Sequence, residues 1–280
     1  MTGSSERSRE FGDGAGTPRG LRRAAQWVRR AWRGARDADA LAAATPSPAE
    51  FERVKASWEA LGAHDPLWAI VGAPGKQGNR WDRDEFFATG DIDVQHVMNA
   101  LRALELPVAG ERALDFGSGV GRLTQALATR FQYVDGVDIS ASMITQAIAF
   151  NRHGDRVRYF LGHADRLPVA EANYDFILSK IVLQHVGIDL QRGYVREFIR
   201  VAKPGGVVAF QTPSRALGTD TTHFRSQVET PAGTATIDMN TFPRDDVERT
   251  IHDAGGRLIA ALPDVSAGDA FESLLYVVMR

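Results

Sequence analysis

The sequence predicts an α/β protein, a mostly parallel sheet covered on both faces by helices, with a helical cap on its N-terminal side. Three observations predict it. From Arg112 onward short apolar runs alternate with segments of helical period, the pattern of βαβ units whose sheet is buried on both faces. The first run ends in the glycine-rich turn Asp115-Phe116-Gly117-Ser118-Gly119-Val120-Gly121-Arg122, a strand–turn–helix passage that lets a ligand approach the backbone closely. The last two apolar runs, 258–262 and 274–279, are only eleven residues apart. That gap is too short for another crossover helix, so the last strand should run antiparallel.

Three stretches are expected along the chain: 1–41, 42–110 and 111–280. Residues 1–20 are rich in Ser, Gly, Arg and Glu and are expected to be disordered. Between 21 and 36, Leu21, Ala25, Val28 and Trp32 share one helical side while six arginines crowd the rest. Two readings stand for this basic amphipathic helix: weak contact with an anionic membrane surface or a partner, or docking of Trp27 and Trp32 on the protein's own body. The cap, 42–110, opens on Ser47-Pro48-Ala49-Glu50, a capping box with proline at the first helical position. Its helix places Phe51, Val54, Trp58 and Leu61 on one face and should stop at Gly62. A loop ending in Trp81–Phe87 follows, and Asp91 is expected to cap a second helix carrying Ile92, Val94, Val97, Met98, Leu101 and Leu104.

In the remainder, strands are expected at 113–116, 133–138, 157–161, 174–179, 206–213, 258–262 and 274–279. Helices are expected at 120–130, 142–151, 191–201 and 244–254. The polar segment 215–240 interrupts the alternation and reads as a long loop at the open end of the sheet, the kind of place where binding loops sit.

Composition narrows the chemistry. With no cysteine, disulfides, thiolate metal sites and a cysteine nucleophile are excluded, and no metal is expected. A net charge of −2 gives no global attraction to nucleic acid. No apolar run approaches the ~20 residues that span a bilayer, and the first residues do not form a secretory signal. A cytoplasmic location is therefore expected. No feature points to a particular oligomeric state.

The glycine spacing selects the ligand. A dinucleotide turn wants glycine at 117, 119 and 122, but here the third glycine is 121 and 122 is arginine. The strand also ends in Asp115, a carboxylate where a phosphate would be repelled. S-adenosylmethionine (SAM) has no phosphate, and its ammonium and sulfonium are attracted by a carboxylate. Two further acids follow at strand ends. Asp138 can accept the ribose hydroxyls in charge-assisted bonds, and Asp165, after the third strand, can take the adenine amino group.

Residues 111–280 resemble the class I SAM-dependent methyltransferases, in the small-molecule branch similar to the ubiquinone-biosynthesis methyltransferases. The matching stretches are LDFGSGVGRLT, GVDIS followed by Met143, GHADRLP, YDFILSKIVLQHV and VAKPGG. The resemblance implies a Rossmann-like seven-stranded sheet whose last strand is antiparallel. It also implies that Gly117, Ser118, Gly119 and Gly121 cradle the methionine moiety, that Asp138 binds ribose, and that Ile139 and Met143 flank adenine. Ala164 and Asp165 would read the adenine amino edge, and Ser179 would line the floor. The stretch DPLWAI…RWDRDEFFATG resembles the leading segment of a bacterial subgroup and points to no substrate.

The acceptor is expected to be a small molecule. Relatives that methylate amino groups of bases or glutamine carry an acid or asparagine and two prolines after the fourth strand, where this chain has Ser179-Lys180-Ile181-Val182. Lys and Arg are scattered through this half, which disfavours nucleic acid. His185, next to Gln184 just past that strand, is the candidate general base, its ordinary pKa suiting the role. A histidine that caps the next helix or hydrogen-bonds backbone beside the pocket is the alternative. Trp81, Phe86 and Phe87 are candidates for an aromatic lid, since an aromatic face over a sulfonium contributes about 0.5–2 kcal/mol; packing of the cap on the sheet is the alternative. The segment 215–240, with His223, is assigned to the acceptor pocket. O-methylation is favoured over N or C, against a SAM-binding protein without transfer activity or a membrane-surface lipid or quinone methyltransferase.

Overall fold

The computed structural model describes residues 48–106, 110–163 and 166–280. The expected tail and basic helix at 21–36, and the candidate residues Ala164 and Asp165, lie outside the described residues.

Seven strands form one sheet: β1 (Arg112–Phe116), β2 (Tyr133–Asp138), β3 (Val157–Leu161), β4 (Tyr174–Ser179), β5 (Ala202–Ala216), β8 (Arg257–Asp264) and β9 (Phe271–Met279). Their order is β3-β2-β1-β4-β5-β9-β8. β1 to β5 are parallel, and β9 runs antiparallel to both β5 and β8. The expected seven-stranded architecture with an antiparallel last strand is thus the one found. The order reverses at β1, with β2 on one side and β4 on the other, and such a switch point opens a crevice at the carboxyl ends of the strands.

Successive strand residues point to opposite faces, and the two faces bury separate cores. Leu114, Val137, Ile177, Phe210 and Tyr276 belong to one core, with α6 (Ile188–Val201) and α7 (Arg244–Asp253). Ala113, Val134, Phe176, Val207 and Val277 belong to the other, with α3 (Arg83–Ala103) and α4 (Arg122–Leu127). Such double-sided burial explains the near-continuous apolar runs of the strands. α5 (Ala141–Phe150) links β2 to β3. The first helix, α1 (Pro48–His64), contributes Phe51 and Val54 to the first core, and the short α2 (Pro66–Ile70) follows it.

Three expectations are corrected. α1 continues past Gly62 to His64, because Gly62 is a crossing point: a Cβ there would lie 2.6 Å from Ser142 Oγ. α3 begins at Arg83, capped by Asp82, whose side chain accepts the amide of Glu85 at 2.9 Å. Trp81–Phe87 is therefore the start of a helix, and Asp91 sits exposed within it. The polar segment 215–240 is not an irregular loop. It completes β5 and then forms the antiparallel hairpin β6 (His223–Thr230) and β7 (Gly233–Asn240), seated on α1 through Ser57 Oγ, which pairs with Thr236 Oγ1 and accepts the Thr236 amide, both at 3.1 Å.

Candidate active site

A cavity crosses the carboxyl ends of β2, β1 and β4. Its floor is the glycine turn. Gly117, Gly119 and Gly121 have φ of +76°, +52° and +87°, the left-handed region that side chains other than glycine resist. Space enforces the same choice: a Cβ on Gly117 would stand 2.2 Å from Val182 Cγ2, and one on Gly121 2.2 Å from Tyr159 Oη. The amides of Gly117 and Ser118 both donate to the Val137 carbonyl, at 2.7 and 3.0 Å, tying the turn to the end of β2.

At the β2 end the wall carries Asp138, Ile139 and Met143. Asp138 accepts the Gly119 amide on Oδ2 at 2.8 Å and the Ser140 amide on Oδ1 at 2.9 Å. Burial raises its pKa above the ordinary carboxylate value in spite of those amides. Asp115 lies beneath the turn, off the cavity wall. One oxygen accepts Thr124 Oγ1 at 2.6 Å, while Oδ1 has no hydrogen-bond partner, and burial pushes its carboxyl up to about 6. Arg122, just past the turn, is on the wall and donates to Asp93 Oδ2 of α3 at 2.7 Å, leaving its buried Nε without a partner. Although burial alone would raise the Asp93 carboxyl, Arg122 and Lys180 hold it below its ordinary value.

At the β4 end the wall is Lys180, Ile181, Val182, His185 and Val186, with Val54 and Trp58 of α1, while Ile70 lies over the glycine turn, 2.5 Å from where a Cβ on Gly119 would stand. Ser179 Oγ is buried without a partner. Lys180 pairs with Asp264 at 2.8 Å and with Ser266 Oγ. Ile181 has φ of +62°, an outlier for a β-branched residue. A chain of amides sets His185. Gln211 accepts the Ile181 amide at 2.9 Å and donates to Gln184 Oε1 at 3.1 Å; Gln184 Nε2 in turn meets His185 Nε2 at 3.3 Å. On the other ring nitrogen, His185 donates from Nδ1 to the Asp238 carbonyl at 2.7 Å. A carbonyl only accepts, so the proton is on Nδ1 and the lone pair on Nε2. Burial holds the His185 pKa below its ordinary value, which keeps the ring neutral.

Of the residues singled out from the sequence, Gly117, Ser118, Gly119, Asp138, Ile139, Met143 and His185 share the cavity wall. Asp115, Gly121, Ser179 and Gln184 are off it, each next in sequence to a wall residue. Phe86 and Phe87 are buried against Val120 and Met143, with Trp81 packed on Phe86, so these three fix the cap to the sheet off the wall. His223, on β6, pairs through Nδ1 with Asn240 Oδ1 at 2.7 Å and also lies off the wall. The wall carries Trp58, Phe116 and Tyr194, and the Trp58 ring centroid is 5.1 Å from that of His185. Trp58, Arg122 and Lys180 are wall residues that sequence reasoning did not assign to the site. Lys180 had been placed after the fourth strand, and Trp58 on a helix face of core type.

The sheet order, the antiparallel β9 and the carboxylate-led glycine turn define the class I SAM-dependent methyltransferase fold, whose cofactor is SAM. Residues 114–210 match the family model described as a methyltransferase domain. It is 30% identical over 165 residues to the ubiquinone biosynthesis O-methyltransferase of Methylococcus capsulatus, covering 57% of this chain and 62% of that one. The chain thus spans under two thirds of that relative's length, and less of several others. Among solved structures, it is similar to the [4+2]-cyclase SpnF (TM-score 0.58, 14% identity, 85% of this chain and 97% of that one). It is also similar to magnesium protoporphyrin IX methyltransferase from Synechocystis PCC 6803 with bound SAH (TM-score 0.56, 17% identity, 81% and 98%).

Proposed function

We propose that the chain transfers the methyl group of SAM to a hydroxyl oxygen of a small-molecule acceptor, with His185 as the base. One observation carries the reading: the neutral His185 with its lone pair on Nε2 shares a cavity wall with the glycine turn.

The residues present fit the cofactor. Ser118 Oγ and Arg122 Nε are buried donors without partners at the turn, suited to the carboxylate of its amino-acid end. Asp115, beneath the same turn, places a carboxylate close behind the wall where the ammonium would lie. Asp138 keeps a second lone pair on each oxygen for the sugar hydroxyls. Ile139 and Met143 offer apolar surface to the base, whose amino edge falls to Ala164 and Asp165 by the family resemblance.

SAM supplies an electrophilic methyl carbon on a sulfonium, a leaving group that needs no activation. The protein's work is positioning, which for well-oriented partners reaches effective molarities of about 10⁵–10⁸ M. As the acceptor oxygen bonds to the methyl carbon, its proton passes to His185 Nε2 and the carbon–sulfur electron pair stays with sulfur. Trp58, Ile70 and Val54 line the cavity with apolar surface that disfavours water. The O-methylating relative is in keeping with this reading, and the absence of a basic run in this half favours a small acceptor over nucleic acid.

The test has two arms. Calorimetry with SAM and its demethylated product, S-adenosylhomocysteine (SAH), should show binding to the pure protein. A mass search of acceptor panels should then find a gain of one methylene. His185→Ala should lower turnover at least 100-fold while SAH affinity stays within 3-fold. Unchanged turnover removes His185 as the base, and failure to bind either compound removes the methyl-transfer reading itself.

A further inference from the structure

We propose that the acceptor is a ring-bearing alcohol that enters uncharged, and that the Lys180–Asp264 ion pair sets this preference. The inference rests on the methyl-transfer reading above and names its substrate class.

The charges of the cavity wall are each matched. Four of its side chains can carry or gain full charge near neutrality: Arg122, Asp138, Lys180 and His185. Each is matched from behind the wall. Asp93 neutralises Arg122 at 2.7 Å. Two backbone amides hold Asp138. Asp264 neutralises Lys180 at 2.8 Å and is itself anchored by the Ser266 amide on Oδ1, also at 2.8 Å. His185 is neutral, with its proton committed to the Asp238 carbonyl.

Arg122 and Asp138 belong to the glycine-turn end. At the β4 end, beside His185, Lys180 is the cation of the wall, and Asp264 at 2.8 Å, with Asp93 also attracting it, leaves no net positive charge for a ligand. The rest of that end is apolar: Val54, Trp58, Ile181, Val182 and Val186. A carboxylate acceptor would lose its hydration without gaining a free cation, and an ammonium would find no free carboxylate; buried unpaired charge is costly. An uncharged alcohol avoids both costs, and its hydroxyl can replace the long 3.3 Å contact that Gln184 makes to the lone pair of His185 Nε2. A flat ring has Trp58 to lie against.

The pair itself calls for a role. Its partners come from the ends of β4 and β8, 84 residues apart in sequence, and both side chains are largely buried, at 7% and 13% exposure. Buried pairs add little stability over apolar residues of similar size. Beside the acceptor, however, this one holds a lysine whose freed charge would admit anions.

The experiment uses the full chain loaded with SAH, so that loading tests cofactor binding separately. Calorimetry then compares 2-naphthol, 2-naphthoate and 2-naphthylmethylammonium, which share a ring system and differ in charge. Naphthol should bind at least 10-fold more tightly than either ion. Asp264→Asn, which removes the carboxylate paired with Lys180, should tighten naphthoate at least 10-fold and change naphthol less than 3-fold. Lys180→Met, which leaves Asp264 unpaired, should instead tighten the naphthylmethylammonium at least 10-fold, so either variant decides if the other fails to fold. Naphthoate or the ammonium binding as well as naphthol, no binding of any probe, or variants that leave the charged probes unchanged would overturn the proposal. SAH loading would still stand in each of those cases.

Discussion

The backbone amide of Ile181 donates to Gln211 Oε1 at 2.9 Å, at a residue whose φ is +62°. A β-branched residue in that region costs of order 1–3 kcal/mol and persists only where its surroundings hold it. Gln211 supplies that hold, and its amide nitrogen also bonds Gln184 Oε1 and Ser273 Oγ, at 3.1 and 2.7 Å. The strained turn and the orientation of the Gln184 amide are therefore set by one buried side chain.

Gln211→Leu should accordingly uncouple both. The Ile181 amide and Gln184 Oε1 lose their buried partner, which should cost about 1–3 kcal/mol, visible as a lower urea midpoint. Turnover should fall at least 10-fold with SAH affinity within 3-fold, because the glycine turn is untouched. Wild-type turnover in this variant would show that the Ile181 conformation has no bearing on the reaction.

Gly117→Ala and Gly121→Ala should abolish SAH binding, since each combines a positive φ with a Cβ about 2.2 Å from Val182 or Tyr159. Gly154 is the control. It also has positive φ, +56°, but nothing lies within 4 Å of its Cβ position. Gly154→Ala should cost only the backbone strain, roughly 1–2 kcal/mol, and leave affinity intact. Equal affinities across the three variants would contradict the close-approach account of the turn.

The sheet and the turn were legible because parallel strands buried on two faces leave continuous apolar runs, and because glycine marks left-handed backbone. The hairpin was not. β6 alternates half-buried and exposed positions such as Arg225 and Gln227, and it pairs only with β7, so its residues read as a polar loop. The start of α3 was missed because Asp82 and Glu85 form a cap within a run of charges. Trp58 and the Lys180–Asp264 pair became site residues only through tertiary contacts. Trp58 sits at the same helical spacing as the core residues Phe51 and Val54, and no local pattern links positions 84 residues apart.

Asp115 should make stability depend on pH in an unusual direction. Its carboxyl is raised from 3.8 to about 6 by burial, so between those values the folded state binds more protons than the unfolded chain. Its contribution is fully favourable below about pH 4 and is lost as pH rises through 6, a change of about 3 kcal/mol at 1.36 kcal/mol per pH unit. Asp115→Asn should remove that component. Urea unfolding at pH 5.0 and 7.5 should show the variant gaining on the wild type at the higher pH. A variant that loses ground there would mean Asp115 is ionised and stabilising in the fold.

The Arg122–Asp93 pair supports the turn from α3, where Gly90 allows contact: a Cβ there would meet the Arg122 carbonyl at 2.3 Å. Asp93→Asn leaves a buried guanidinium unpaired and should destabilise by about 3–5 kcal/mol. Asp93→Leu with Arg122→Met removes both charges and should recover most of that loss. The double variant should still bind SAH at least 10-fold more weakly, because Arg122 Nε is a buried donor at the turn. Full recovery of affinity would show that Arg122 serves stability alone.

The acid limb of the rate profile reports His185. Burial keeps its pKa below 6.5, so kcat/KM should be flat from pH 7 upward and fall only at a pH below 6.5, where the ring gains a proton and the lone pair is lost. Asp115, with its carboxyl raised to about 6, also titrates below pH 6.5, and Gln184→Leu separates the two. The Gln184 amide donates to the Nε2 lone pair at 3.3 Å, an interaction available only to the neutral ring, so it favours that form. Removing it should raise the His185 pKa and move the acid limb to higher pH. A hydrogen bond of about 0.5–1.5 kcal/mol corresponds to a displacement of up to about one pH unit at 1.36 kcal/mol per unit. Asp115→Asn should leave the limb where it is. A limb that moves with Asp115 and ignores Gln184 would transfer the titration to the glycine turn and take the base away from His185.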